Sequence, residues 1–236
     1  MTCIITNDDG IDAPGIAALE AAAQGLGLGE VVVVAPRREW SGCGHRVTTG
    51  EDIAVCEISP RRFVVDGTPG DCVRIALHAL AADATWILAG INAGGNLGAD
   101  IVHSGTVAAA REAVLHGRQA IAVSHYKRSQ LPFQWQRATR LVAAVLPDLI
   151  KRPLPPGRLW NVNLPHRSQD TEGQAAVADP EVVHCLADPS PLPLDFRHGI
   201  GSYRYSGSYH DRGRTAGMDV AVCFGGRISV SIIGLW

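Results

Sequence analysis

Residues 3–16 read CIITNDDGIDAPGI. Three apolar residues and a threonine, Cys3–Thr6, have the run of a buried strand and lead directly into two adjacent aspartates, Asp8 and Asp9. Pro14 then opens a helical pattern, as proline does at a first helical position. Two ionised carboxylates about 4 Å apart repel by roughly 4 kcal/mol at an effective dielectric of about 20. A proton, a set of N–H donors or a cation has to offset that repulsion. An NDDG alone is also a turn whose aspartates bond local N–H groups.

Working outward, β-rich apolar runs alternate with longer helical patterns. Strands are expected at Cys3–Thr6, Val31–Ala35, Phe63–Val65, Trp86–Ala89, Ala120–Ser124 and Trp160–Asn163, and helices at Pro14–Leu26, Pro69–Ala82, Gly105–His116 and Trp135–Ile150. The strands lack in–out alternation, so both faces are covered, as in a parallel sheet. The βαβ order predicts an α/β fold, an open doubly wound, mostly parallel sheet. Thr68, Pro69 and Asp71 form a helix-start signature, and Ser104 is placed to cap the next helix. Asp12 reads as a helix cap in preference to a catalytic acid. From about residue 166 to 217 proline, glycine and polar residues dominate; so long a structureless loop is improbable. This stretch predicts a protruding arm or insert within a single 1–236 domain, with a hairpin turning at Ser206-Gly207. The closing RISVSIIGLW, residues 227–236, alternates like a strand.

Composition narrows the function. The chain has 236 residues, 46% hydrophobic, with a formal net charge of −2. That balance, with no Lys/Arg run, argues against polymeric nucleic acid as a partner. No apolar run is long enough to span a bilayer, and no signal peptide is seen. Six scattered cysteines without a C-x-x-C read as reduced thiols of a cytoplasmic protein.

Open parallel sheets bind ligands at the carboxyl ends of their strands. After the first strand come Asp8 and Asp9; after the second, Ser41; after the fourth, Asn92 and Asn96 in GINAGGNLG; after the fifth, SHYKR. Two carboxylates, a hydroxyl and an amide carbonyl are hard oxygen donors, suited to magnesium, manganese or calcium. No tight His/Cys spacing near the aspartates supports zinc. Ser41 and Asn92 taken singly are also ordinary turn residues. Ser104, Gly105 and Thr106 open a helix whose free N–H groups and positive end favour a phosphate. No G-x-G-x-x-G or P-loop pattern is present. His103 and His45 lie near this rim, with structural roles open for both. His78 and His116 fall on helices as packing or surface residues, and Tyr203, Tyr205 and Tyr209 suggest an interface in preference to a base-stacking surface.

Together IITNDDGIDAPGI, VVVVAPRREWSG, DGTPGDCVRIAL, AGINAGGNLGADIVHSGTVAAAREA and NVNLP, spanning residues 4 to about 165, resemble the SurE family of stationary-phase survival protein nucleotidases. The resemblance implies a divalent-metal-dependent 5′-nucleotidase, a phosphomonoesterase acting on nucleoside 5′-monophosphates. It further implies a Rossmann-like core and a homodimer or homotetramer formed through the arm. By motif, Asp8, Asp9, Ser41 and Asn92 fall on the ligands of one Mn²⁺ or Mg²⁺, with Asp8 and Asp9 catalytic. Asn96, Ser104, Gly105 and Thr106 fall where substrate phosphate lies. Departures from the family pattern stand at Gly44, Arg46, Ala99 and His103, with Asp100 left as a lone acid. They raise an alternative, a metal- and nucleotide-binding protein with little turnover, and a third reading is a metal-dependent transferase. A covalent aspartyl route is disfavoured, because Gly10 stands two residues past Asp8.

Overall fold

A computed structural model describes residues 2–128, 132–166 and 178–236. A nine-stranded sheet has the order β3-β4-β2-β1-β5-β6-β7-β11-β8, built from β1 (Thr2–Thr6), β2 (Glu30–Pro36), β3 (Val55–Ser59), β4 (Arg62–Val65), β5 (Ala84–Asn92), β6 (Gln119–His125), β7 (Arg158–Leu164), β8 (Val182–His184) and β11 (Ile228–Gly234). The six strands from β4 through β7 pair in parallel; β3 on β4 and β11 on β7 are antiparallel. Every strand expected from the sequence is present.

Alternate residues of β1 explain the two-sided apolar code. Cys3 and Ile5 face a core made with α1 (Pro14–Ala23) and α5 (Trp135–Ile150), whereas Ile4 faces a second core made with α2 (Pro69–Ile75) and α4 (Gly105–Leu115). All three are fully buried. At about 25 cal/mol per Å² such side chains each contribute about 2 kcal/mol, which only a doubly covered sheet collects along a whole strand. The Thr68–Asp71 capping box is present: Asp71 N donates to Thr68 Oγ1 (3.2 Å) and Thr68 N to Asp71 Oδ2 (2.9 Å).

Several expectations change. The helix from Pro69 continues beyond Ile75 only as a π-helical turn, Ala76–Leu80. Asp12 caps nothing; Ala13 is the N-cap of α1, without a side-chain bond. β3 carried no signal because all five of its residues are exposed. Two short helices, α3 (Asp100–His103) and α6 (Asp219–Phe224), were also missed. The arm region is composite: β8 joins the main sheet beside β11, and only β9 (Phe196–Gly199) and β10 (Ser202–Tyr205) form a separate hairpin. That hairpin turns at Ile200-Gly201, not at Ser206-Gly207, because Ser202 pairs with Gly199. Residues 167–177 of the expected arm lie outside the described residues. All six cysteines are unpaired.

Candidate functional site

β1 lies between β2 and β5, and the chain leaves it in opposite directions across the sheet, so the crevice at its carboxyl end is the topological switch point. The NDDG turn opens there. Asn7 closes the turn, its Nδ2 donating to Gly10 O (2.8 Å) and its Oδ1 accepting from Gly10 N (3.3 Å). Both aspartates are thereby released to reach other segments, and the purely local reading of this turn fails. Trp40 N, after β2, donates to Asp8 O (2.8 Å). Ala93 N, after β5, donates to Asp9 Oδ2 (2.9 Å). The Thr106 hydroxyl, on the first turn of α4, donates to Asp8 Oδ1. Three chain segments therefore converge on the acid pair, two of them on its carboxylates.

Gly105 makes the closest approach. A Cβ there would lie 2.8 Å from both Cβ and Oδ2 of Asp8. The missing side chain lets the positive end of α4 abut a carboxylate that is 3% exposed. Burial raises the Asp8 pKa from 3.8 to about 6; the Thr106 hydroxyl pulls it down, and the neighbouring charge of Asp9 pushes it up. Burial also raises Asp9, with the Ala93 N–H opposing and the charge of Glu39 adding to the rise. A buried and a half-buried acid, both held above their ordinary range with few donors on them, are what a hard cation relieves. Asn92 adds an oxygen, since its Nδ2 is committed to Gly94 O (2.9 Å) and, among the described residues, its Oδ1 accepts nothing. The residues present fit a divalent cation, although no cluster of three or more His, Cys, Asp or Glu is found among the described residues.

Other expected site residues are placed differently. Ser41 is exposed and its hydroxyl donates to Glu39 Oε1 (2.5 Å), an acid whose charge is felt at Asp9. Glu39 went unread because a lone acid in an Arg-rich loop carries no pattern. The Asn96 side chain turns inward: Nδ2 donates to Ser124 Oγ (2.7 Å), and the residue is 6% exposed. In the structure that side chain bonds the end of β6. Ser104 caps α4, accepting from Val107 N (3.0 Å). Of the four expected phosphate positions, Gly105 and Thr106 lie against Asp8.

The departures have local reasons. Asp100 pairs with Arg212, which also donates to Leu97 O (3.2 Å) and is 4% exposed. The lone acid is thus a docking point for the segment after the hairpin. Gly44 N donates to His103 O (3.0 Å), tying the Ser41 loop to the entry of α4. Next to it His45 Nε2 and Glu112 Oε2 are 2.7 Å apart, and His116 Nε2 lies 3.0 Å from Glu112 Oε1. Burial would raise Glu112, but the hydrogen bonds from His45 and His116 more than reverse this and hold it below its ordinary value. His103 contributes its carbonyl rather than its ring.

This is a doubly wound α/β protein with an oxygen-lined acidic crevice at its switch point. The chain belongs to the SurE family: the pattern described as "Survival protein SurE" matches residues 3–182. A Nostoc sp. protein provisionally named a 5′-nucleotidase is 47% identical over 231 residues, 98% of each chain. The protein named 5′-nucleotidase SurE of Geobacter metallireducens is 43% identical over 178 residues, 75% of this chain and 69% of that one. The crystal structure of the SurE protein from Aquifex aeolicus superposes with a TM-score of 0.85 at 28% identity, covering 100% of this chain and 94% of that chain.

Proposed function

We propose that the protein is a divalent-metal-dependent 5′-nucleotidase that hydrolyses nucleoside 5′-monophosphates to nucleoside and phosphate. The observation that carries this is the burial of Asp8 against the N-terminus of α4, with Asp9 beside it and Asn92 across the switch point. Asp8, Asp9 and Asn92 would hold one Mn²⁺ or Mg²⁺, and Ser41 would bring a fourth oxygen. When bound, such an ion supplies positive charge beside the phosphoryl group and makes water a competent nucleophile at neutral pH. Thr106 fixes Asp8 through its hydroxyl, and Ala93 fixes Asp9 through its N–H. The first turn of α4 presents its positive end to the phosphoryl oxygens, stabilising charge as the bond to the nucleoside oxygen breaks. Water attacks phosphorus, that P–O bond is cleaved, and the proton released by water ends on the leaving oxygen or in solvent.

The reading as a binding protein without turnover rested on the departures. Asp100 pairs with Arg212 and Gly44 N with His103 O, so both departures serve the scaffold and leave Asp8, Asp9 and Asn92 unchanged, which favours hydrolysis. We further infer that the β9–β10 hairpin joins two or more copies of the chain. It stands apart from the main sheet and exposes Phe196, Ile200 and Tyr203. No helix among the described residues is long and apolar enough to cross a membrane, and six unpaired cysteines favour a reducing, cytoplasmic setting.

The test is phosphate release from a panel of nucleoside 5′-monophosphates and an aryl phosphate, in EDTA and after adding back Mn²⁺ or Mg²⁺. Release that stops in EDTA and returns with metal is expected. Tight nucleotide binding without release would establish the binding-protein reading, and hydrolysis of the aryl phosphate would count against a transferase.

A further inference from the structure

The loop after β2 brings a third carboxylate to the neighbourhood of the acid pair. Its main chain is pinned at Trp40, whose N–H donates to Asp8 O (2.8 Å) and whose carbonyl accepts from Cys43 N (3.1 Å). Gly42 makes that turn at a φ of 71°, in the left-handed region. The guanidinium groups of Arg38 and Arg46 lie over the Trp40 ring, 5.2 and 5.6 Å from its centroid, so Arg46 braces this loop. The residues on either side of Trp40 meet each other: the Ser41 hydroxyl donates to Glu39 Oε1 at 2.5 Å.

A hydrogen bond between two exposed side chains ordinarily does little. This one stands out by the pairing it replaces. Three arginines share the loop, and a surface carboxylate among arginines ordinarily takes one of them. Arg37 is held by Asp66 (2.6 Å), Arg38 and Arg46 lie over Trp40, and among the described residues no cation pairs with Glu39. Its charge meets a neutral hydroxyl instead and adds repulsion at Asp9. Without a cation nearby that arrangement is unfavourable at both ends.

The chemistry of the hydroxyl supplies the reason. It has one hydrogen and two lone pairs. With the hydrogen on Glu39, only lone pairs are left for another partner, and the carboxylate polarises the O–H so that the oxygen is the more negative. A serine without such an acceptor presents its hydrogen to a cation as readily as a lone pair.

We propose that Glu39 is a positioning residue for the cation site: it holds the Ser41 hydrogen and keeps the Ser41 oxygen set as a ligand. The proposal rests on the metal-dependent reading above, in which Ser41 brings the fourth oxygen. Glu39 acts through Ser41, from outside the ligand set, and is not a catalytic residue.

The experiment titrates metal-free protein with Mn²⁺, following the electron paramagnetic resonance signal of the free ion, for wild type, Glu39→Ala, Glu39→Gln, Ser41→Ala and Glu39→Ala/Ser41→Ala. Both residues are exposed, so urea midpoints in EDTA should not move. Glu39→Ala should weaken Mn²⁺ binding about tenfold, as loss of a partner behind a metal ligand does. Glu39→Gln keeps an acceptor oxygen and should bind Mn²⁺ more tightly than Glu39→Ala. In the Ser41→Ala background, Glu39→Ala should change the Kd by less than about twofold, because no hydroxyl is left to hold. No loss in Glu39→Ala would overturn the proposal. Equal losses in both backgrounds, or a glutamine no better than alanine, would also overturn it and make Glu39 a charge acting through space. Wild-type affinity in Ser41→Ala would overturn it while leaving Asp8, Asp9 and Asn92 as ligands. A wild type that binds no Mn²⁺ at millimolar concentration would instead refute the metal-dependent reading, and this proposal with it.

Discussion

Replacing Asp8 by asparagine should stabilise the metal-free protein at alkaline pH while removing its response to metal. The sign follows from burial. An aspartate ordinarily titrates near 3.8, and in the folded chain Asp8 titrates at about 6. Below the lower value it is protonated whether the chain is folded or not, and contributes no difference. Above the upper value the unfolded chain holds an ionised, hydrated carboxylate, whereas the native chain must ionise it in a buried site. Each pKa unit is worth about 1.36 kcal/mol, so the metal-free native state should be about 3 kcal/mol worse off at pH 8 than well below pH 3.8 on this account alone. Asparagine keeps an oxygen for the Thr106 hydroxyl and has no charge to desolvate. Any cost of seating its NH₂ beside Gly105 is independent of pH. Urea unfolding of wild type and Asp8→Asn in EDTA, at pH 4.5 and pH 8, isolates the effect as a difference of differences. The stability gap should move in favour of the variant by about 2–3 kcal/mol between the two pH values. Millimolar Mn²⁺ at pH 8 should then stabilise wild type by several kcal/mol and leave the variant nearly unmoved. A gap that does not change with pH, or changes the other way, would refute the idea that burial of this carboxylate is the strain a cation relieves.

Gly105→Ala should place a methyl 2.8 Å from Asp8 Oδ2; metal affinity measured by Mn²⁺ titration should fall at least tenfold, with a stability loss of about 1–3 kcal/mol in denaturant. Arg212→Ala should lower stability by about 3 kcal/mol, because it strips a buried partner from Asp100 and from Leu97 O, and guanidinium unfolding reports it. Glu112→Gln should weaken the link between α4 and the Ser41 loop through His45, costing about 1–2 kcal/mol at pH 7. Since Glu112 is held below its ordinary value of 4.5, the stability it adds in wild type is present at neutral pH and is lost as the pH falls below 4.5, so wild type and variant should converge on acidification.

The legible part of the fold was the part governed by short-range rules. Burial on both faces made β1, β2, β5 and β6 largely apolar runs, β7 interleaving the buried Asn161 and Asn163 with apolar residues, and α5 began and ended where its amphipathic period did. What failed had no local code. β3 is exposed along its whole length, and α6 spans only six residues, too short for periodicity to register. In the site, residues at strand ends were readable because topology alone gathers them. Their use was not: whether Asn96 faces a phosphate or Ser124 depends on a residue 28 positions away, and the role of Asp100 depends on one 112 positions away. The segment MDVAV, residues 218–222, carried no chemical pattern of its own. In the structure its Asp219 accepts hydrogen bonds from Gly98 N and Asp188 N, both at 2.8 Å.

Those distant partners share one feature that bears on catalysis. The Gly95–Gly98 stretch is held almost entirely by its main chain: Gly95 O by Tyr209, Asn96 N by Asn163 Oδ1, Asn96 O by Asn161 and Asn163, Leu97 O by Arg212, and Gly98 N by Asp219. A glycine-rich loop would otherwise sample many conformations, and ordering each residue costs about 1–2 kcal/mol of backbone entropy. Here the ordering is done by side chains from β7, the post-hairpin segment and α6, before any ligand arrives. Asn92 and the Ala93 N–H on Asp9 therefore sit on a support whose shape does not depend on the cation, and binding energy is left to act on the phosphoryl group. The same logic accounts for the sequence freedom at Ala99 and His103: anchors that grip carbonyls and amides, and a helix entry that uses only the His103 carbonyl, make few demands on the side chains between them.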